Sequence, residues 1–227
     1  HSLLANTIFQ DSNLSLLKIL IGLYVFFNSN NGVNGNQLDN YVDANVKTAR
    51  KFSKKCRILM AESNNSKILQ SSFYEIDILE IGGHHKGKRG KDSENKQPTL
   101  LILSTLEDNN YPQYVKLHTL PNYKGEPIEE YLKEKCLFDP TIVINCDRDK
   151  AFFCLNKLAQ LENSVVDYTK ENHKLKWLNT FTGNIQSNIN HLYRLVKKRD
   201  LPLFLSEQEW RINHRYSGKR IMDKVKK

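Results

Sequence analysis

The chain has 227 residues, with 34 Lys+Arg against 25 Asp+Glu, a formal net charge of +9, and 39% hydrophobic residues with only 10 Gly and 6 Pro. That apolar content supports a real core and excludes collagen-like, low-complexity and wholly disordered chains; the length fits one large domain, or one with a small appendage. Cys56, Cys136, Cys146 and Cys154 show no CxxC spacing, so neither a zinc ribbon nor a disulfide framework is indicated, and the positive excess favours an anionic partner.

Leu14 to Phe27 reads as a hydrophobic helix. Lys18 interrupts it, and it is shorter than the about 20 residues of a membrane span, so a buried helix is expected and no membrane partner. A polar break, Asn28 to Asn36, leads to a short helix over Gln37 to Val42, a turn at Asp43-Ala44-Asn45, and a longer helix from Val46 to Met60. In that longer helix Val46, Ala49, Phe52, Cys56 and Leu59 recur at spacings of three and four. Lys47, Arg50, Lys51, Lys54, Lys55 and Arg57 occupy its other faces, with no acid between Ala44 and Met60. This is the arrangement of a helix-turn-helix whose basic second helix enters a DNA groove. A helical hairpin packed on a core, its cations forming a solvated face, has the same pattern.

From Ser71 the character becomes strand-like. Phe73 to Ile81 alternates apolar and polar residues, and Thr99 to Leu106 and Gln113 to Leu120 read as two further strands of an antiparallel meander. Between the first two lies a glycine-punctuated basic loop containing Lys86, Lys88, Arg89 and Lys91. Then come a helix (Ile128 to Leu137), a short strand (Thr141 to Cys146), a helix (Lys150 to Leu161), a strand (Ser164 to Tyr168) and a helix (Ile185 to Lys198). The order predicts an α/β fold with an RNase H-like mixed sheet and flanking helices, preceded by the helical region. The expected division is 1–66 helix-turn-helix, 67–216 RNase H-like, and 217–227 basic tail. Eleven cations and four acids lie between Arg194 and Lys227. Three basic stretches together point toward phosphate binding.

Asp77 falls inside the first strand and Asp147 at the carboxyl end of the fourth, where ligand sites of α/β sheets collect. If those strands pair, the two carboxylates become neighbours able to share divalent cations. Mg²⁺ takes oxygen ligands, and two ions about 3.5–4 Å apart stabilise both oxygens of an in-line phosphoryl displacement. The alternatives are an outward-facing strand residue for Asp77 and a helix N-cap for Asp147.

The segment Tyr74-Glu75-Ile76-Asp77, then Ile81-Gly82-Gly83-His84-His85-Lys86-Gly87-Lys88-Arg89-Gly90, then Ser93-Glu94-Asn95-Lys96, resembles the signature of DDE transposases of the Merlin superfamily and its bacterial insertion-sequence (ISXO2-like) branch. There an E-I-D-E strand is followed by I-G-G, a K-G-K-R-G-like loop and E-N-K. Upstream, Leu17-Lys18, Gln37-Leu38, Lys47-Thr48-Ala49 and Arg57 resemble the family's helix-turn-helix region. Downstream, Asp147-Arg148-Asp149-Lys150-Ala151-Phe152 is similar to D-G-W-x-A-Y, Leu178 to Gly183 to V-x-P-x-T-G, and Trp210 to Arg215 to F-R-Y-N-x-R. The similarity runs from about residue 3 to 215 and is most specific from Ile81 to Lys96.

The resemblance implies that Asp77 and Asp147 are the first two metal-binding carboxylates. It places Asn190 where most members have Glu, and Lys197 at the family's Lys, seven residues on and close to two α-helical turns away, so both are expected on one side of a helix. An amide oxygen can ligate Mg²⁺ but adds no charge and is no general base. The resemblance thus implies a two-metal Mg²⁺ or Mn²⁺ site at Asp77, Asp147 and Asn190 with no zinc, and a catalytic set completed by Lys197. Lys47, Arg50, Lys51, Lys54, Lys86, Lys88, Arg89 and Lys91 are expected on double-stranded DNA, both element ends and target. A homodimer on DNA and an intracellular location, nucleus or bacterial cytoplasm according to host, complete the expectation. The zinc ribbon often found ahead of this region is missing, which reads as truncation or as a lineage that lost it. Three departures from the family pattern alter the groups expected near the metals: Ile78-Leu79 for E-T, Arg148 for Gly, and Ile185-Gln186-Ser187 for H-T-N. The alternative function is therefore an inactive or domesticated transposase-derived DNA-binding protein.

Overall fold

The structure is a computed structural model that describes residues 3–82, 96–105, 111–138, 141–147, 149–163, 175–193 and 196–215. The chain divides into two compact units, one formed by His1–Asn64 with Ser206–Lys227 and the other by Asn65–Leu205.

The first unit is helical: α1 (Leu16–Asn28), α2 (Gly35–Val42) and α3 (Val46–Asn65) pack with the later part of a helix that begins in the second unit. Each start has a local cause. Ser15 caps α1 by accepting from Lys18 N, and Asn34 with Gln37 forms a capping box at α2. Asp43 ends α2 in the left-handed region (φ 45°), and Asn45 Oδ1 accepts from Thr48 N at 2.9 Å to open α3. The core includes Ile19, Phe26, Leu38, Val42, Ala49, Phe52, Cys56, Met60 and Trp210. Of the expected apolar stripe of α3, Ala49, Phe52 and Cys56 are buried, Val46 and Leu59 are only partly covered, and Met60 takes a fully buried place.

Two expectations change here. The helix α1 is buried on one side only: Leu17, Leu20 and Tyr24 are exposed, because only the side bearing Ile19, Gly22, Phe26 and Phe27 packs on the core. The helix α3 continues past Met60 to Asn65, with Asn64 buried and its Nδ2 donating to Ser206 O at 2.8 Å. Close packing explains Gly22, where a Cβ would sit 2.8 Å from Phe52 Cζ and 3.1 Å from Val42 Cγ1. Gly22→Val is expected to lower stability by about 1–3 kcal/mol, read by denaturant unfolding, since the buried Phe52 ring has nowhere to go. An unchanged midpoint would contradict this packing.

The second unit holds a five-stranded mixed sheet in the order β3-β2-β1-β4-β5. The strands β1 (Phe73–Ile81), β2 (Gln97–Thr105) and β3 (Pro112–Thr119) form the antiparallel meander, whereas β4 (Val143–Cys146) and β5 (Gln160–Asn163) add in parallel beyond β1. This is the RNase H-like α/β arrangement. Because side chains alternate across a sheet, Tyr74 and Ile76 face one side with Ile144 and Cys146. There they join Ile128 and Leu132 of α4 (Gly125–Lys135) and Phe152 and Leu155 of the 3-10 turn Lys150–Lys157. Glu75 and Asp77 face the other side, against which α5 (Lys176–Ser187) packs.

The second half departs from the expected boundaries. The helix expected over Lys150 to Leu161 is a 3-10 segment that stops at Lys157, and the chain enters β5 at Gln160; Ser164 to Tyr168 lies outside the described residues. The last expected helix, Ile185 to Lys198, is instead α5 from Lys176 to Ser187 followed by a π-helical turn, Asn188–Tyr193. A further helix, α6 (Leu201–Asn213), was not anticipated. Among the described residues no helix is long and apolar enough to cross a membrane.

Candidate active site

Parallel pairing of β1 with β4 sets Glu75 opposite Asn145 and Ile76 opposite Cys146. Asp77 and Asp147 each follow by one residue, so they stand side by side where β4 ends, on neighbouring chains about 4.7–4.9 Å apart. Both are half-buried. Asp77 Oδ1 accepts from Ile78 N at 2.7 Å, and Asp147 Oδ1 accepts from Asp149 N at 3.0 Å, so backbone donors fix both carboxylates. The N-cap of the following 3-10 turn is Asp149, whose side chain accepts from Ala151 N; Asp147 does not have that role.

The thiol of Cys146 reports the same crowding. Burial first, then the negative charges of Asp147 and Asp77, push its pKa up to about 12. Neutral at physiological pH, it offers no thiolate. Burial also pushes Cys136 up to about 12 and raises Cys56 and Cys154. Among the described residues, the donors on the face of the acidic pair are carboxylate and amide oxygens, hard ligands of the kind that suit Mg²⁺ or Mn²⁺. One more oxygen lies on that face: Asn145 is buried, and its Oδ1 has no hydrogen-bond partner among the described residues. Among the described residues no three His, Cys, Asp or Glu side chains converge on a metal-sized site.

The other expected members follow α5 in the chain. Asn190 is exposed on the π-helical turn after α5. Lys197 is exposed and extended (φ −71°, ψ 146°), as N-cap of the 3-10 turn Lys198–Asp200. The one-helix argument that aligned them fails, because a π turn bonds i→i+5 and breaks the 3.6-residue repeat, and the helix has ended before Lys197.

Lys47, Arg50, Lys51 and Lys54 are all exposed on α3. Their spacings of three and four put them on one face, away from Ala49, Phe52 and Cys56. Arg57, counted with them in the sequence, is buried and bonded through Nε to Glu207 Oε2 at 2.6 Å. Lys86, Lys88, Arg89 and Lys91 lie outside the described residues.

Sequence reasoning passed over Glu75. It is 1% exposed, and its Oε2 accepts from Leu178 N at 3.0 Å in the first turn of α5. The available signal was parity: a charged residue two before Asp77 in an alternating strand shares its face.

The family model described as the ISXO2-like transposase domain matches residues 73–213, more than half of the chain. No curated protein matches. Among solved structures, one titled "Mos1 transposase paired-end complex with left transposon end" is similar at 8% identity and a TM-score of 0.32, covering 90% of this chain and 78% of that chain.

Proposed function

Because the chain belongs to the ISXO2-like transposase family, we propose that it cleaves and joins DNA at the ends of a mobile element in a divalent-metal-dependent reaction. The observation that carries this reading is the register that sets Asp77 beside Asp147 at the end of paired parallel strands. Hydrolysis adds water to a backbone phosphorus and breaks its bond to the 3′-oxygen, which leaves as a hydroxyl while the phosphate stays with the 5′ end. The freed 3′-OH then attacks a target phosphodiester, whose own 3′-oxygen departs, so one P–O bond forms for each broken. Asp77 and Asp147 would hold Mg²⁺ or Mn²⁺, with the amide of Asn190 as the third ligand; the ion supplies neutralisation of charge on the reacting phosphate.

The protein's own part is positioning. Backbone N–H groups of Ile78 and Asp149 each engage one oxygen of their carboxylate. The packed face bearing Cys146, Ile144 and Ile76 supports the pair from the opposite side of the sheet. Lys197 is assigned a DNA phosphate beside the site, and Lys86, Lys88, Arg89 and Lys91 are assigned backbone phosphates. The exposed stripe Lys47, Arg50, Lys51 and Lys54 is assigned the DNA groove at element ends, with two copies of the chain on a pair of ends. If those four contact phosphate, replacing all four with Ala is expected to flatten the plot of log affinity against log salt by about 4, roughly one unit per lost contact. An unchanged slope in a binding titration at several salt concentrations would remove α3 from the interface.

The test of the reading is Mg²⁺ titration by calorimetry into the full chain, alone and with duplex DNA, with Asp147→Asn as control. Saturable binding abolished by the substitution supports it. A second reading, DNA binding without cleavage, is favoured by the neutral, exposed Asn190; absence of metal binding in both titrations would select it.

A further inference from the structure

Buried carboxylates are costly unless their charge is met by strong donors. Glu75 is buried on β1, two residues before Asp77, and its Oε2 accepts from Leu178 N at the amino end of α5. The N-cap position of that end is Leu175, an apolar residue that makes no side-chain cap bond. A helix start presents unpaired N–H donors and partial positive charge, so a carboxylate there forms a charge-assisted bond. The bond spans 103 residues of sequence and joins the strand that carries Asp77 to the helix that runs into the turn carrying Asn190.

We propose that Glu75 is a positioning residue, a clamp that holds the amino end of α5 on β1 and so sets where Asn190 stands relative to Asp77 and Asp147. Its effect on cleavage rests on the transposase reading above; the clamp itself does not. Residues near Glu75 agree with an anchoring role. Its strand-register partner is Asn145, also buried, and Leu178, which donates to it, is buried with Phe181 and Ile185 along α5 and with Ile189 in the π-helical turn that follows. Asp77 points from the same face, so a shift of α5 would be felt at the acidic pair without altering either carboxylate.

The experiment uses the full chain and two variants, Glu75→Leu, which removes the acceptor, and Glu75→Gln, which keeps a neutral one. The first readout is amide hydrogen exchange, independent of activity. Leu178 and the rest of the first turn of α5 are expected to exchange about tenfold faster or more in Glu75→Leu, as befits loss of a charge-assisted bond, while Leu101 to Leu103 in β2 keep their protection. In Glu75→Gln the increase is expected to be smaller. The second readout is Mg²⁺-dependent cleavage of duplex DNA. Glu75→Leu is expected to lower the rate at saturating DNA with little change in DNA affinity, and Glu75→Gln to recover most of it. Unchanged exchange at Leu178 in Glu75→Leu overturns the clamp. So does equal loss of cleavage in both variants with α5 still protected, since that would place the charge of Glu75 in the reaction rather than in the joint. If Glu75→Leu does not fold, wild-type exchange at Leu178 in Glu75→Gln overturns it. If the unsubstituted chain cleaves no DNA, the transposase reading fails while the exchange result still decides the clamp.

Discussion

Asp147→Asn is expected to reduce strand cleavage by at least about a thousandfold while leaving metal-free DNA binding unchanged. Asparagine preserves the size and keeps an acceptor for the Asp149 N–H, so the turn after β4 survives. The substitution removes one of two negative charges. A unit charge about 4 Å away in a partly buried setting is worth about 4 kcal/mol, and each 1.36 kcal/mol is about tenfold in rate. Asn190, the proposed third ligand, brings no charge that could compensate. Asp77→Asn carries the same expectation. Single-turnover cleavage at saturating Mg²⁺, beside DNA binding in chelator, separates the two effects. Cleavage within tenfold of the unsubstituted chain would exclude Asp147 from the reaction.

Glu207→Ala is expected to be the most destabilising single change in the helical unit, by about 3–5 kcal/mol. Glu207 is fully buried between two buried arginines: Oε2 accepts from Arg57 Nε at 2.6 Å, and Oε1 from Arg211 Nε at 2.9 Å and Nη2 at 2.6 Å. Arg211 also donates to Phe26 O and Ser29 O, which closes the carboxyl end of α1. Removing the carboxylate leaves two guanidinium groups facing each other over the ring of Phe26. Against a total stability of about 5–15 kcal/mol, that loss is enough to unfold much of the population. Denaturant unfolding of the full chain measures it, and a loss under about 1 kcal/mol would contradict the triad. Replacing Arg57 with Met in the same chain removes one uncompensated charge and is expected to recover part of the loss. Full recovery is not expected, because the remaining Arg211 still needs a counter-charge.

The triad also shows where sequence reading stops. In the sequence, Arg57 is one more cation in a basic helix, and Glu207 and Arg211 lie in a basic carboxyl-terminal stretch. Both stretches looked like solvated or phosphate-binding surface. Only the grouping of Ser206 onward with the amino-terminal helices makes these three residues a buried network. The same limit applies to Asn190 and Lys197. Their seven-residue spacing was informative only on the assumption of one α-helix, and a π turn with its different bonding is not visible in a string of side chains.

The sequence by itself determined the features that depend on local repeat. The three-and-four spacing of α3 and the alternation of β1 were legible because burying one side of a helix or strand imposes its period on neighbouring residues. The caps Ser15, Asn34 and Asn45 and the left-handed Asp43 also act within a few residues of chain, although only the turn at Asp43-Ala44-Asn45 was read from the sequence. The fold class came from the order of such elements, and Asp77 and Asp147 as a pair from adding one assumption, that the first strand lies beside the fourth. Tertiary structure alone decided which distant groups meet. It made that assumption true in register, bound Glu75 to α5, paired Arg57 with Glu207, and ended the 3-10 segment early enough for β5 to begin at Gln160. Such pairings are set by burial of opposite charges and of unpaired backbone donors across long stretches of chain, and no local pattern in the sequence records them.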